Sequence, residues 1–502
     1  MVTVRSWSAA WLAGPATLGV IAASASSREQ LEAMRRERLA QLLEHAAQQS
    51  ELYKSLIGHA DTHQLALHEL PVMTKADLMR DFDRWVTDPD ITLDSVRAFM
   101  ARRSAIGTDY LGRYQVWESS GSSGEPGVFV QDEHALAVYD ALEFARRPVL
   151  DANQRALDPW YATERSAFVG ATTGHFASIA TVQRLRRLNP WLAPSVRGFS
   201  FLEPVPRLVR ALNEFSPTVL MSYPSVALML AEERRAGRLT IALREVWTGG
   251  ETLSPAVRKF IGDTFACPVA QSYGASEFLS LASECRCGRL HLNSDWAIVE
   301  SVDAHGRPVK DGEVGSSTLL TNLANRVQPL IRYDLGDRVR LDAAPCACGS
   351  SLPVIEVQGR VDDGLSMTDA RGHKVRLPGL ALITVLEEDA GVFDFQLQQV
   401  NDAALELVLA ERGPDDGERL GRAVAALTHY LHAQHLPRVS VHGRLVASIG
   451  RGRSGKAKRV VEHVEGAATG SPGRCGGSTP RGMLTTPGRR ARSRGPAGPT
   501  RA

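Results

Sequence analysis

The chain has 502 residues, 43% of them hydrophobic and 23% charged, with a formal net charge of +2. That length exceeds one ordinary domain and fits a large and a small lobe, and the composition excludes a disordered or membrane-embedded chain. The charge excludes a polyanionic partner for the body, because residues from Gly466 onward hold seven arginines and no acid, and without them +2 becomes −5.

Ala9 to Ala25 is uncharged, lies behind Arg5 and loosely fits an export signal. Pro15 interrupts it, however, and a charged amphipathic pattern starts at Ser27. No other stretch approaches membrane-spanning length, so a cytoplasmic protein without a membrane partner is expected. Residues 27–57 predict a helix with Leu31, Met34, Leu39, Leu42, Leu43 and Ala46 on one face. Residues 132–147 predict another.

Two apolar runs, Tyr114–Trp117 and Gly127–Val130, read as strands flanking Ser119-Ser120-Gly121-Ser122-Ser123-Gly124-Glu125-Pro126. Glycine lets the backbone approach an anion closely, and serine hydroxyls with bare N–H groups donate to phosphate oxygens. The same composition also makes flexible connectors.

From residue 203 helices and strands alternate: helix 205–214, strand 218–221, helix 225–235, strand 245–247, helix 254–265, strand 269–271. This order predicts an α/β fold with a mostly parallel, helix-covered sheet. Sites in such sheets lie beyond the carboxyl ends of the strands. Two motifs fall there: Thr248-Gly249-Gly250-Glu251 and Ser272-Tyr273-Gly274-Ala275-Ser276-Glu277. Past residue 360 the texture changes to strands at 393–400 and 404–410 around an Asn401-Asp402 turn, a helix at 415–434 and a strand near 438–447. The expected domains are a large one over 1–360, a small α+β one over 361–465, and a Gly/Pro/Arg-rich disordered tail over 466–502.

Several residues suit nucleotide chemistry. Glu277 offers a carboxylate for Mg²⁺, Tyr273 an aromatic face, and Asp337, in Arg332-Tyr333-Asp334-Leu335-Gly336-Asp337, an acceptor for two hydroxyls. Gly359-Arg360-Val361-Asp362-Asp363 lies at the domain boundary, and Gly455-Lys456-Ala457-Lys458-Arg459 near the end of the small domain. Singly, an aspartate after glycine is a turn former and a Gly-Lys pair a solvated loop.

Six cysteines are present. Cys285-Arg286-Cys287-Gly288 and Cys346-Ala347-Cys348-Gly349 form two Cys-x-Cys-Gly pairs, and four thiolates in two close pairs suit a closed, structural, tetrahedral Zn²⁺. His291 is an alternative ligand. Cys267 and Cys475 have no evident partners.

In this order and spacing, the motifs resemble those of the adenylate-forming superfamily, and most closely its phenylacetate–CoA ligase and CapK-like branch. The resemblance covers roughly residues 28–462 and includes Arg38-Leu39 to Tyr53 and the phrase Leu70-Pro71-Val72-Met73-Thr74-Lys75-Ala76-Asp77-Leu78. It implies a large AMP-binding domain followed by a small mobile one. By resemblance, Ser119, Ser120, Gly121, Ser122, Ser123 and Gly124 cradle the ATP phosphates. Gly250, Glu251 and Tyr273 frame the adenine, Glu277 binds Mg²⁺, Asp337 binds the ribose and Arg360 approaches the nucleotide. Asp362 matches the hinge and Lys456 the catalytic lysine, with Lys458 its rival. His175 and Phe176 match the acyl pocket, where a hydrogen-bonded structural histidine is the other reading.

The implied activity is an ATP-, Mg²⁺- and CoA-dependent acid–thiol ligase acting on an (aryl)carboxylic acid such as phenylacetate. A homodimer is plausible by the same resemblance, and no nucleic acid is expected. Alternatives are an adenylating enzyme with a protein thiol or hydroxyl acceptor, or a catalytically silent binding protein. One departure stands out, because Glu125 occupies a position where the family commonly has lysine.

Overall fold

The computed structural model describes residues 4–119, 127–146, 163–172, 174–201, 203, 205–360, 365–372, 374–377, 382, 385–392, 395–434, 436–449 and 460–461. The chain divides into two compact units, Met1–His463 and Val464–Ala502, and all of these residues belong to the first.

The uncharged N-terminal segment is a helix, Val4–Ser24, continuous through Pro15 and packed along the helix Glu133–Arg146. Arg146 fixes the pair. Its Nε donates to Ser24 Oγ at 3.1 Å, and its two terminal nitrogens fork onto the fully buried Asp295 carboxylate at 2.7 and 3.0 Å. Among the described residues no helix is long and apolar enough to cross a membrane.

The helix expected over 27–57 is two helices, Arg28–Gln49 and Glu51–Ile57. Ser50 divides them because its hydroxyl has better partners outside a helix. It is extended (φ −103°, ψ 122°), accepts from the Tyr53 N–H as the second helix's N-cap, and donates to Trp85 O at 2.8 Å. Apolar spacing alone carries no trace of this break.

Strands β1 (Gln115–Glu118) and β2 (Val128–Gln131) pair antiparallel, with Glu118 opposite Val128, so residues 119–127 form their connection. Next come β3 (Ser166–Gly170), β4 (Val196–Ser200), β5 (Val219–Ser222), β6 (Glu245–Thr248) and β7 (Val269–Ala275). They pair parallel in the order β4-β3-β5-β6-β7, with crossover helices including Val205–Phe215, Pro224–Arg235 and Pro255–Phe265. Val219, Leu220 and Val246 are buried, as strands covered on both faces require.

The helical alternation stops at β7. Strand β8 (Phe278–Glu284) turns back antiparallel on it, and β9 (Leu290–Leu292) follows antiparallel on β8. The chain then leaves this sheet for a three-stranded one made of β10 (Ala297–Val302), β11 (Ser317–Asn322) and β12 (Tyr333–Asp334). It returns through the hairpin β13 (Asp337–Asp342) and β14 (Val354–Arg360). The completed nine-stranded order is β13-β14-β9-β8-β7-β6-β5-β3-β4. The α/β class is therefore as expected, with the parallel half continued by an antiparallel one.

Beyond residue 364 a second apolar core forms. Strands β15 (Leu365–Thr368) and β16 (Lys374–Leu377) make a hairpin. Strands β17 (Phe395–Asn401), β18 (Ala404–Ala410), β19 (Ser440–Val446) and β20 (Val460–Val461) form a sheet in the order β19-β18-β17-β20. The helix Asp416–Ala433 covers it through Ala423, Leu427 and Leu431, which pack with Phe395, Leu397 and Leu407. Each element expected between 393 and 447 is present here.

Candidate active site

Tight backbone geometry joins β7 to β8. Asn322 Nδ2 holds Glu277 O at 2.9 Å, and Trp117 Nε1 holds Ser276 O at 2.7 Å. Gly274 fits where no side chain does, since a Cβ there would lie 1.9 Å from Leu279 O. This turn delivers Tyr273 and Glu277 to one end of the sheet. Glu277 is 8% exposed and accepts from the Tyr333 hydroxyl at 3.0 Å.

Asp337 arrives from the other hairpin. Gly336, at φ +68°, makes the turn in front of it, and its N–H bonds Asp334 Oδ1 at 2.9 Å. The Tyr273 hydroxyl donates to Asp337 Oδ2 at 2.7 Å, and Arg360 is the register partner of Asp337 on β14. The structure thus brings Tyr273, Glu277, Asp337 and the backbone of Arg360 to the same sheet end.

Arg332, in the same motif, is committed to the scaffold. Its guanidinium donates to Leu70 O and Gly306 O, both at 2.7 Å, and pairs with Glu300 at 3.2 Å. Met73 N–H bonds Arg332 O and Asp334 N–H bonds Met73 O, which threads the Leu70–Leu78 phrase beside this motif.

The feet of the Ser/Gly loop are closed on each other. Ser119 N–H donates to Gly127 O, and Gly127 N–H donates to Ser119 Oγ, both at 2.8 Å. Ser120, Gly121, Ser122, Ser123, Gly124 and Glu125 lie outside the described residues, as do Asp362 and Lys456. At the foot of the loop is a residue the motif reading passed over. A Cβ on Gly127 would lie 3.2 Å from Lys75 Cδ, so the Lys75 stem flanks the loop. Its signal was its place in the Leu70–Leu78 phrase.

Gly250 (φ +75°) and half-buried Glu251 follow β6, where Gly249 N–H bonds Ser222 O at 3.2 Å. Burial pushes the Tyr223 phenol up to about 12, helped by the nearby Glu251 charge. His175 is 3% exposed, meets Phe99 edge-on at 5.8 Å, and has Nε2 3.2 Å from Arg102 O. Its Nδ1 has no hydrogen-bond partner among the described residues. Phe176 is half-buried, bridges two apolar clusters and caps the helix Ala177–Leu188 in extended conformation.

Of the cysteine set, Cys285, Cys346 and Cys348 converge with His291, their ligand atoms all within 4.8 Å of one another. Cys287 is exposed and not among these four, although its thiol meets that of Cys346, and His291, the alternative ligand, is among them. Cys287 sits in the β8–β9 turn, whereas His291 points from β9 with Nδ1 2.7 Å from Leu352 O. The Cys348 N–H draws the Cys346 thiol down to about 6, while burial pushes Cys348 up to about 11.

The AMP-binding enzyme family model matches residues 195–318, which span β4 to the start of β11 and include Gly250, Glu251, Tyr273 and Glu277. A phenylacetate-coenzyme A ligase of Thermus thermophilus is 26% identical over 365 residues, 71% of this chain and 76% of that protein. The chain is thus similar to enzymes of the adenylate-forming superfamily. The CapK protein of Staphylococcus aureus is also 26% identical, over 136 residues that make up 27% of this chain and 29% of CapK. A 2-hydroxyisobutyryl-CoA ligase, solved in its postadenylation state with 2-HIB-AMP, shares the fold at TM-score 0.61 and 20% identity, over 86% of this chain and 89% of that one. For an adenylate-forming enzyme the donor set fits: carboxylate oxygens at Glu277 and Asp337 suit a hard dication and hydroxyl donors, and an aromatic ring at Tyr273 flanks them.

Proposed function

We propose that this chain is an adenylate-forming enzyme, a carboxylate–CoA ligase with an aryl- or arylacetic acid as its leading substrate class. The observation that carries the reading is the convergence of Tyr273, Glu277 and Asp337 through two hydrogen-bonded pairs, Tyr273–Asp337 and Tyr333–Glu277. A relative that is a phenylacetate-coenzyme A ligase supports the substrate class.

In this reading a carboxylate oxygen attacks the α-phosphorus of ATP, the bond to the β-phosphate breaks, and pyrophosphate leaves. A thiolate of CoA then attacks the acyl carbon, and AMP leaves with the bonding pair. Mg²⁺ bound at Glu277 supplies charge neutralisation to the phosphates. Asp337 accepts from the ribose hydroxyls while Tyr273 holds its carboxylate in place. Tyr333 orients Glu277 in the same way. The Ser119–Gly124 loop donates to phosphate oxygens, with Lys75 at its foot. Lys456 bridges the two reacting anions during adenylation, and rotation about Asp362 withdraws it before thiol attack. The domains run over 1–360, 361–465 and 466–502, supported by the separate core that begins at Leu365 and includes Val460.

The test is acid-dependent ATP–pyrophosphate exchange over a panel of carboxylic acids, followed by CoA consumption. Exchange with an aryl acid and stoichiometric loss of CoA thiol is the expected result. Exchange without CoA use supports another acceptor, and no exchange with any acid sinks the enzymatic reading.

A further inference from the structure

The antiparallel half of the nine-stranded sheet has a thin seam. Strand β14 meets β9 at two register pairs, Val354↔His291 and Ile355↔Leu290, with one flanking bond from Leu292 N–H to Pro353 O at 2.9 Å. On one side of the seam lies the β13–β14 hairpin carrying Asp337. On the other lie β8 and β7, carrying Glu277 and Tyr273. Backbone pairing this short leaves two hairpins weakly joined.

The three thiols and the imidazole sit across this seam. Cys285 directly follows β8, His291 lies on β9 within the seam itself, and Cys346 and Cys348 come from the β13–β14 turn. Their spacing has the dimensions of a metal tetrahedron. Zn–S of about 2.3 Å and Zn–N of about 2.0–2.1 Å give edges of about 3.8 Å between sulfurs and about 3.6 Å from sulfur to nitrogen. Cys285 Sγ lies 3.9 Å from Cys346 Sγ, and Cys348 Sγ lies 3.4 Å from His291 Nε2. All three sulfurs are further met by backbone N–H groups, Cys346 by that of Cys348, and Cys285 by Cys287 N and Cys348 by Ser350 N, each of the last two at 3.4 Å. His291 Nδ1, 2.7 Å from Leu352 O, is placed to donate there, which leaves Nε2 as the ligating nitrogen.

The geometry points to a closed structural zinc site made by Cys285, His291, Cys346 and Cys348, which clamps the β14–β9 seam. Binding displaces the protons of three thiols to solvent, leaves the imidazole neutral and involves no redox step. All four tetrahedral positions are filled by protein, so the metal does no chemistry on substrate. It also lies far from the nucleotide residues, since β8 from Phe278 to Glu284 extends about 20 Å at about 3.4 Å per residue. Its effect is to lock the far ends of two hairpins whose near ends hold Glu277 and Asp337. Cys287 is an exposed thiol beside Cys346 and is not one of the four ligands proposed.

Elemental analysis of the full-length protein tests this. Wild type and Cys287→Ser are expected to hold about one zinc per chain, and Cys346→Ser and His291→Ala to lose most of it. Stripping wild type with a chelator is expected to lower the melting temperature, and zinc chloride to restore it. If the variants fail to fold, cobalt(II) loaded into stripped wild type serves instead, its thiolate charge-transfer intensity reading three sulfurs. Metal-free wild type insensitive to chelator overturns the site, as does a mass two hydrogens light from a Cys285–Cys346 disulfide. Zinc retained in His291→Ala but lost in Cys287→Ser overturns the ligand set, and so does a four-sulfur cobalt signal.

Discussion

The hydroxyl of Tyr273 donates to Asp337 Oδ2 at 2.7 Å, joining residues that are 64 positions apart and lie on opposite sides of the β14–β9 seam. A hydrogen bond to a charged group contributes about 1.5–3 kcal/mol. Tyr273→Phe is therefore expected to raise the KM for ATP by about ten- to a hundredfold in pyrophosphate exchange, with little change in melting temperature. Asp337→Asn is expected to cost more. The double variant should lose less than the sum, because both changes remove one interaction. Strict additivity would show that the pair is not coupled in the nucleotide complex.

Glu277 carries a different burden. Glu277→Gln keeps the shape and the Tyr333 contact but removes the charge, so adenylation should fall by about 10²–10³ in kcat. The Mg²⁺ concentration for half-maximal exchange should rise with it. Tyr333→Phe removes only the 3.0 Å orienting bond and is expected to have a milder effect. Unchanged Mg²⁺ dependence in Glu277→Gln would remove this residue from the metal.

Lys75 and Glu125 form a charge question at the phosphate loop. The Lys75 stem lies against Gly127, and Glu125 stands two positions before that glycine. Partly exposed charges are worth about 0.2–1 kcal/mol, so Lys75→Met is expected to raise the KM for ATP by about two- to fivefold. Glu125→Lys should lower it, and in the Lys75→Met background should restore it. Initial rates at varied ATP decide the matter, and a Lys75→Met enzyme with unaltered KM would exclude the electrostatic role.

Lys456 is expected to act in one half-reaction only. Lys456→Ala should nearly abolish acid-dependent pyrophosphate exchange while leaving thioester formation from synthetic acyl-AMP and CoA intact. Equal loss in both assays would refute a role confined to adenylation.

Gly274 is a stability prediction. The Cβ of Gly274→Ala would meet a backbone oxygen, Leu279 O, at 1.9 Å, and backbone cannot swing aside as a side chain does. Overpacking of this kind costs about 1–3 kcal/mol, readable as a lower midpoint in urea. Gly237→Ala, where the space around the glycine is open but φ is +74°, tests backbone strain alone and should cost less.

Much of this arrangement was legible in the chain. Alternating apolar runs and helices between 205 and 271 give the parallel half of the sheet directly, and the elements from 393 to 447 follow from strand and turn chemistry. Tyr273, Glu277 and Asp337 were visible because they lie in two short turn motifs, which Glu277 and Asp337 end. What the sequence did not reveal depends on tertiary partners. Ser50 breaks a periodic helix to reach Trp85 O. His291 joins Cys285, Cys346 and Cys348 because β9 and the β13–β14 turn meet only in the fold. The Lys75 position needs the contact between the Leu70–Leu78 phrase and the motif around Arg332, which lie more than two hundred residues apart.

The excursion of the chain between β9 and β14 bears on the order of assembly. The hairpins β7–β8–β9 and β13–β14 are local in sequence, but the seam that joins them brings together His291 and Leu352, 61 positions apart. Closing so long a loop is entropically slow compared with forming either hairpin. The hairpins carrying Tyr273 and Asp337 are therefore expected to form separately during refolding and to meet last, when β14 docks on β9. Pulse-labelled amide exchange should show Leu292 N–H gaining protection after the amides within β8 and β13, so that ATP affinity is the final property the folding chain acquires.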